Sequence, residues 1–255
     1  MPVDTALSVL ATVLESGRSW PRPSCPQCGT GYIGFATPTT DESHESAQLH
    51  GHDFFDPDWI KGTFVVRGQC ENPDCQLAVH GTGDFYVDFS SEQEDFDSRG
   101  PNYSEYYKLM HLHPAVQIMS IPKTAPKEVH EGVSRASRVL FADPGLAATA
   151  LRATVERFLT TAGIPGTTNG VFTPADTRIK QWAAQDPTRE TTADLLLAVK
   201  WLGNAGTHED ADLTTTEVLQ GASMLDEAFH RIYTGPDIDA HARNINAAKG
   251  PHRQP

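Results

Sequence analysis

The sequence predicts an α+β protein of two domains, in which a small antiparallel β module precedes an all-helical bundle. Its 255 residues exceed what one small core needs and suit two domains of ordinary size. The N-terminal part carries two pairs of cysteines followed by apolar residues at alternating positions, which is typical of strands. From about residue 122 onward the apolar residues recur at helical spacing, which predicts the bundle.

Composition and charge narrow the class of protein. No apolar run approaches the roughly 18 residues that a membrane-spanning helix needs, so no membrane association is expected. With 20 basic against 33 acidic residues the net charge is −13, which disfavours nucleic-acid binding by charge alone. The N-terminus lacks the basic lead and cleavage site of a signal peptide, and we therefore expect a cytoplasmic protein.

The first predicted element is an N-terminal helix within residues 1–18. Apolar residues recur there at helical spacing, which predicts one buried face. These residues are Val3, Leu7, Leu10 and Leu14.

The cysteine pairs predict a zinc-ribbon-like module over residues 19–90. Cys25 and Cys28 are separated by two residues, and Cys70 and Cys75 form a second, slightly longer pair. Two such turns supply a tetrahedral set of thiolates, which predicts one structural Zn²⁺ with no open position for chemistry. The alternative from the sequence is four free, buried cysteines. Beyond the second pair, Val79, Phe85 and Val87 share one parity, as expected of a strand.

The 41 residues between the two pairs form an insertion in the ribbon, which we predict to be a polar loop. Residues 42–58 are dense in metal-ligand side chains, so a second metal site is an alternative to a solvated loop. The candidate ligands are Glu42, His44, His50, His52, Asp53, Asp56 and Asp58. His111 and His113 are a weaker candidate pair.

An acidic, turn-rich stretch from Ser90 to Pro101 predicts a linker, within a linker and connecting segment over residues 91–121 that precedes a bundle over residues 122–235. Pro144 and Pro174 occupy the first-turn positions that start helices, and Thr214 with Glu217 forms a capping box. The five predicted helices lie near 126–141, 144–162, from 174 onward, 191–202 and 214–235. Residues 236–255 are expected to be a flexible tail.

Three motifs in the helical half resemble the domain of unknown function 4145. They are Pro126 with Glu131-Gly132, then Ala147-Ala148-x-Ala150-Leu151-Arg152-x-x-x-Glu156, and then Leu202-Gly203-Asn204-x-x-x-His208. That family is grouped with the HEPN superfamily of helical bundles. The resemblance implies a HEPN-like bundle, pairing as a homodimer, a place in bacterial defence or phage conflict, and relatives that are metal-independent ribonucleases.

One position departs from the ribonuclease pattern, because Gly203 stands where those enzymes carry arginine. A helix continued through Asn204 would place Lys200, Asn204 and His208 on one face, where Lys200 could supply the missing cation and His208 transfer protons. The alternative is structural, with Asn204 and His208 capping the helix and Gly203 allowing close packing.

Arg152 and Glu156 are four residues apart and predict either a surface ion pair or the polar lining of the same groove. The sequence therefore favours a zinc-containing recognition or regulatory module whose groove binds RNA, a nucleotide or a protein. The alternatives are a ribonuclease that uses His208, Asn204 and Lys200, and a metallohydrolase built on the inserted loop.

Overall fold

The computed structural model describes residues 5–90, 102–207 and 213–248, and it confirms the α+β class. An antiparallel sheet occupies the N-terminal part, and helices dominate the C-terminal part. The chain divides into two compact units. The sheet unit comprises Asp4–Gln117 with Ser137–Asp143, and the helical unit comprises Ile118–Ala136 with Pro144–Pro255, in each case within the described ranges.

The sheet unit is built on one six-stranded sheet. Its strand order is β1-β6-β5-β4-β2, β3 pairs with β4 beside β2, and all five pairings are antiparallel. The strands are β1 (Val13–Glu15), β2 (Ile33–Phe35), β3 (Thr39–Glu42), β4 (Lys61–Cys70), β5 (Ala78–Phe89) and β6 (Tyr103–His113). The helices among them are α1 (Thr5–Leu10), α2 (His44–Leu49) and a 3₁₀ turn, Pro57–Trp59.

The central strand β5 shows the alternation that the sequence predicts. Val79 and Phe85 are buried on one face, whereas His80 and Asp84 are exposed on the other. A Cβ atom on Gly83 would overlap the carbonyl oxygen of Lys108, so only glycine lets β6 approach here. The β5–β6 register shifts at this position, between Thr82 and Gly83. The predicted alternation is thus confirmed.

The linker prediction for 91–121 is wrong for residues 103–113, which form β6. Tyr107, Leu109 and Leu112 are buried on the inner face of this strand, but the irregularity at Gly83 interrupts their alternation. The acidic stretch that suggested a linker lies mostly at 91–101, outside the described residues.

The N-terminal helix is shorter than predicted. Helix α1 ends at Leu10, and Val13–Glu15 pairs with β6 as β1. Leu14 is buried as expected, but it lies on a strand. The sequence pattern does not distinguish the two structures here, because a short strand and one more helical turn can both bury a residue at this spacing.

The inserted loop is also more ordered than the sequence suggests. Its residues form β3, α2 and the 3₁₀ turn, and Ser43 caps α2 by accepting a hydrogen bond from the Ser46 amide. The buried Ser46 hydroxyl donates to Glu42 and bonds the Trp59 carbonyl, which ties the helix to the following turn. Local polar bonds rather than an apolar stripe stabilise this segment.

The helical unit has the predicted helices with the predicted start signals. Pro144 begins α4, Pro174 is the N-cap of α5, and Thr214 and Glu217 form a capping box ahead of α7. The helices are α3 (Lys127–Val139), α4 (Pro144–Thr161), α5 (Ala175–Ala184), α6 (Glu190–Ala205), α7 (Thr215–Tyr233) and α8 (Gly235–Ala248). A small hairpin, β7 (Thr167–Thr168) with β8 (Val171–Phe172), precedes α5. Among the described residues, no helix combines the length and apolar character that crossing a bilayer requires.

The flexible-tail prediction for 236–255 is wrong as far as Ala248, because Gly235–Ala248 is helical. The predicted fifth helix ends near residue 235, where Gly235-Pro236 follows α7. Proline in a first helical turn loses no intrahelical hydrogen bond, so the same pair opens α8 instead.

Helices α4 and α6 approach closely through glycines. A Cβ on Gly203 would overlap the Cβ of Arg152 and lie 2.9 Å from the Ala148 carbonyl oxygen. The Thr149 hydroxyl also lies within 3.5 Å of the Gly203 carbonyl oxygen. Gly203 therefore permits backbone contact between the two helices.

We expect Gly203→Ala to lower the free energy of unfolding by about 1–3 kcal/mol, because the added methyl group forces α4 and α6 apart. Gly221→Ala in α7 is the matched control, since its Cβ would meet only the movable Cδ1 of Leu202, at 2.8 Å. Urea unfolding monitored by circular dichroism measures both. Equal stability of the two variants would contradict the close packing.

Candidate functional site

Two tight turns bring the four cysteines together at one end of the sheet. In the first turn the Gly29 amide donates to the Cys25 carbonyl, and Gly29 has φ +67°, a conformation that glycine adopts readily. The Cys25 amide donates to the Gly31 carbonyl, which returns the chain toward β2. Cys70 is the last residue of β4, and its amide donates to the Leu77 carbonyl.

The pairing of β2 with β4 places the two turns side by side. Ile33 is the register partner of Cys70, so the chain leaving the first turn runs directly beside the start of the second. Asn72 reinforces this contact, because its side-chain amide donates to the Thr30 hydroxyl and lies 3.8 Å from the Cys28 Sγ. Its Oδ1 accepts from the Asp74 amide, which shapes the second turn.

The four sulfur atoms have the separations of a tetrahedral metal site. All four Sγ atoms lie within 4.8 Å of one another, with Cys25 to Cys75 at 3.8 Å and Cys28 to Cys70 at 3.7 Å. A tetrahedron with zinc–sulfur bonds of about 2.3 Å has edges of about 3.8 Å. A disulfide would need sulfur atoms about 2.05 Å apart, and all four cysteines are free. The prediction that these residues form one cluster is confirmed.

The electrostatics of the cluster are those of a cation site. The backbone amides of Thr30 and Gly31 lower the pKa of the Cys28 thiol to about 5, which gives the turn a thiolate at neutral pH. Burial raises the pKa of the Cys70 thiol to about 12, because a charged thiolate is disfavoured where solvent is excluded. A bound dication would stabilise both thiolates together, so the donor set fits a metal ion.

Gly31 is a site residue that the sequence reasoning missed. A Cβ there would lie 2.7 Å from the Cys70 Sγ and 2.9 Å from the Asn72 Cβ. The second turn therefore packs directly against the backbone of the first. The glycine three positions after Cys28 is the sequence signal that could have indicated this contact.

The inserted segment does not assemble a second cluster of this kind. Among the residues that the structure describes, the cysteines are the one group of three or more potential ligands that lies within 4.8 Å. Local contacts engage several of the predicted ligands instead: His50 with Glu42 at 2.9 Å, His44 with Gln48, and Asp56 with the Tyr103 hydroxyl at 2.6 Å. The Asp56 bond raises the pKa of Tyr103 to about 12.

In the helical unit, Arg152 and Glu156 form the predicted ion pair. The Arg152 Nε lies 3.0 Å from the Glu156 Oε1, and the two side chains are 32% and 35% exposed. Such a pair contributes a few tenths of a kcal/mol to stability. The Arg152 side-chain stem lies against Gly203, because a Cβ on Gly203 would overlap the Arg152 Cβ.

Lys200 and Asn204 lie one turn apart near the end of α6. Lys200 is only 7% exposed, and its Nζ lies 3.2 Å from the ring centroid of Trp201, which is 58% exposed. The Asn204 carbonyl accepts from the amide and hydroxyl of Thr207, which closes the helix end. His208 lies outside the described residues, so its proposed role stays a prediction.

The geometry thus defines an α+β protein with a four-cysteine metal-type centre in its sheet and a close-packed helical unit after it. Family models match each part: residues 134–248 match "Domain of unknown function (DUF4145)", and residues 16–111 match "Domain of unknown function (DUF8608)". The first match confirms the resemblance found in the sequence. The second ends within β6 and therefore includes most of a strand that was assigned to the linker. No curated protein and no solved structure matches the chain.

We expect Gly31→Ala to weaken metal binding at the cysteines by at least about tenfold, because the new methyl group displaces the Cys70 sulfur. Gly51→Ala is the matched control, since nothing lies within 4 Å of its Cβ position. Competition with a colorimetric chelator measures both affinities. A Gly31→Ala protein that holds its ion as tightly as the control would contradict the assigned contact.

Proposed function

We propose that the chain is a recognition or regulatory protein whose sheet unit is stabilised by one Zn²⁺ and whose helical unit contacts a nucleic-acid-linked partner. Zinc is the ion that four thiolates at tetrahedral spacing favour in a chain with free cysteines. All four coordination positions belong to the protein, so the ion stabilises structure and activates no water. Free thiols also support a reducing, cytoplasmic location.

The observation that carries the recognition role is the contact at Gly203. An arginine there would collide with α4, because even a Cβ atom overlaps Arg152. The absence of an arginine at position 203 removes a fixed positive charge. A charge of this kind raises a catalytic rate roughly 10²–10³-fold by stabilising the transition state. Lys200 is a weak substitute, since it is buried beside Trp201 and lacks the planar fork of arginine.

The proposed link to RNA, bacterial defence and phage conflict is supported by the resemblance of the helical half to the HEPN superfamily. The same resemblance supports a homodimer through the helical unit. Trp201 adds to this support, because a large apolar ring with 58% exposure on α6 suits a contact surface. The homodimer stays a prediction.

A second candidate function is a metal-independent ribonuclease, and the position of Arg152 is the observation that favours it. Its side chain lies against Gly203 and could supply the guanidinium from α4 instead of α6. In that enzyme Arg152 would stabilise phosphate charge, Asn204 would orient the substrate and His208 would transfer protons.

We expect one tightly held zinc ion per chain after dialysis against a chelator. Cys28→Ser or Cys70→Ser should release it and lower the stability of the sheet unit, because thiolate binding is coupled to folding. Inductively coupled plasma mass spectrometry gives the stoichiometry, and amide hydrogen exchange locates the loss within residues 20–90. A metal-free wild-type chain with full protection of this region would refute the structural zinc.

We expect wild-type protein to cleave RNA weakly or not at all. If it is a ribonuclease, Arg152→Ala and His208→Ala should each abolish a cleavage that persists in chelator and leaves a 2′,3′-cyclic phosphate. Arg135→Ala, an exposed arginine on α3, is the control for lost charge, and Lys200→Ala tests the other cation. Gel assays with several RNAs measure the cleavage activity of the wild type and of each variant. Robust cleavage removed by His208→Ala at unchanged thermal stability would make the ribonuclease the function.

A further inference from the structure

Three histidines come together on the solvent face of the sheet, away from the face that forms the core. His80 on β5 is the register partner of His113 on β6, and His111 precedes His113 by two positions. All three side chains are exposed. Only His111 and His113 could be associated from sequence, because His80 is brought to them by strand pairing.

The spacing on the sheet suits shared coordination of one ion. Directly paired residues have Cβ atoms about 4.5–5.5 Å apart, and residues two apart on a strand lie about 6.8 Å apart on the same face. Imidazole rings on such positions can turn toward a common point above the two strands. Their ring nitrogens do not form a ready cluster within 4.8 Å, as the cysteine sulfurs do among described residues, so binding requires rotamer changes. Exposed side chains make such changes rapidly.

The residues around the three histidines help to determine which kind of metal ion this face can bind. The register partner of His80 on its other side is Arg67, and the partner of His111 is Thr82. The next exposed row pairs Asp84 with Lys108, so the charges there offset each other. Imidazole nitrogens favour a borderline transition ion, which binds nitrogen strongly, over Ca²⁺ or Mg²⁺, which require oxygen ligands.

We propose that His80, His111 and His113 form a second, open binding site for a divalent transition ion such as Zn²⁺ or Ni²⁺. Three imidazoles leave the fourth position to water, in contrast to the closed cysteine site. The proposal does not rest on the recognition function, because it concerns different residues and a different ligand type. It assigns a metal-binding role to the exposed face of the sheet.

The test titrates tag-free, full-length protein, already carrying its tightly bound ion, with Zn²⁺ and separately with Ni²⁺ in a calorimeter. We expect one further ion per chain. His80→Ala and His113→Ala should each weaken this binding by at least about tenfold, since each removes one of three ligands. His241→Ala on α8 removes an exposed imidazole elsewhere and should leave the affinity unchanged. Thermal unfolding should be the same for all three variants without added metal.

Cobalt distinguishes the two sites in the wild-type chain. The first Co²⁺ equivalent added to metal-free protein should give the thiolate-to-metal charge-transfer band of a cysteine site, and the second should add ligand-field absorption without that band. The absence of any second ion, or a second ion retained by the His80→Ala/His113→Ala double variant, would overturn the proposal.

Discussion

The sheet unit depends on one constraint, namely the convergence of four cysteine sulfur atoms where β2 begins and β4 ends. Backbone amides lower the pKa of the Cys28 thiol, whereas burial raises the pKa of the Cys70 thiol, so the two thiols do not ionise in the same pH range. A bound dication would stabilise both thiolates together and hold both turns at the contact made by Gly31. Once the turns are held, β2 lies in register beside β4, and the long strands β4, β5 and β6 extend the sheet from that edge.

The helical unit depends on a different constraint, namely the absence of side chains where helices cross. Gly203 allows α4 and α6 into backbone contact, and Gly132 on α3 meets Thr154 on α4 in a similar way. Close packing of this kind fixes where polar side chains emerge. Arg152 emerges beside Gly203, whereas the Nζ of the buried Lys200 lies against the ring of Trp201. Position 203 therefore serves helix packing.

The parts that could be predicted are those in which a short stretch of sequence determines the structure. Cysteine spacing predicts the turns, and Pro144 and the Thr214 capping box predict helix starts, because each signal acts within a few residues. β6 was missed since its apolar residues alternate only when an irregularity near Gly83 is allowed. The encounter of His80 with His113 could not be predicted, because strand register depends on the whole sheet. The same holds for the contact of Gly31 with Cys70.

The two cysteine turns are also far apart along the chain, with 41 residues between Cys28 and Cys70. Closing a flexible loop becomes harder only with the logarithm of its length, so doubling the segment would cost about 0.6 kcal/mol. The connections between β3, α2 and the 3₁₀ turn could therefore lengthen with little effect on the cysteine cluster, provided that the pairing of β3 with β4 is kept. Inserted residues are therefore best accommodated in the connections within this segment, whereas Gly31 and Asn72 lie against the sulfur atoms and leave no room for a larger side chain or a different turn.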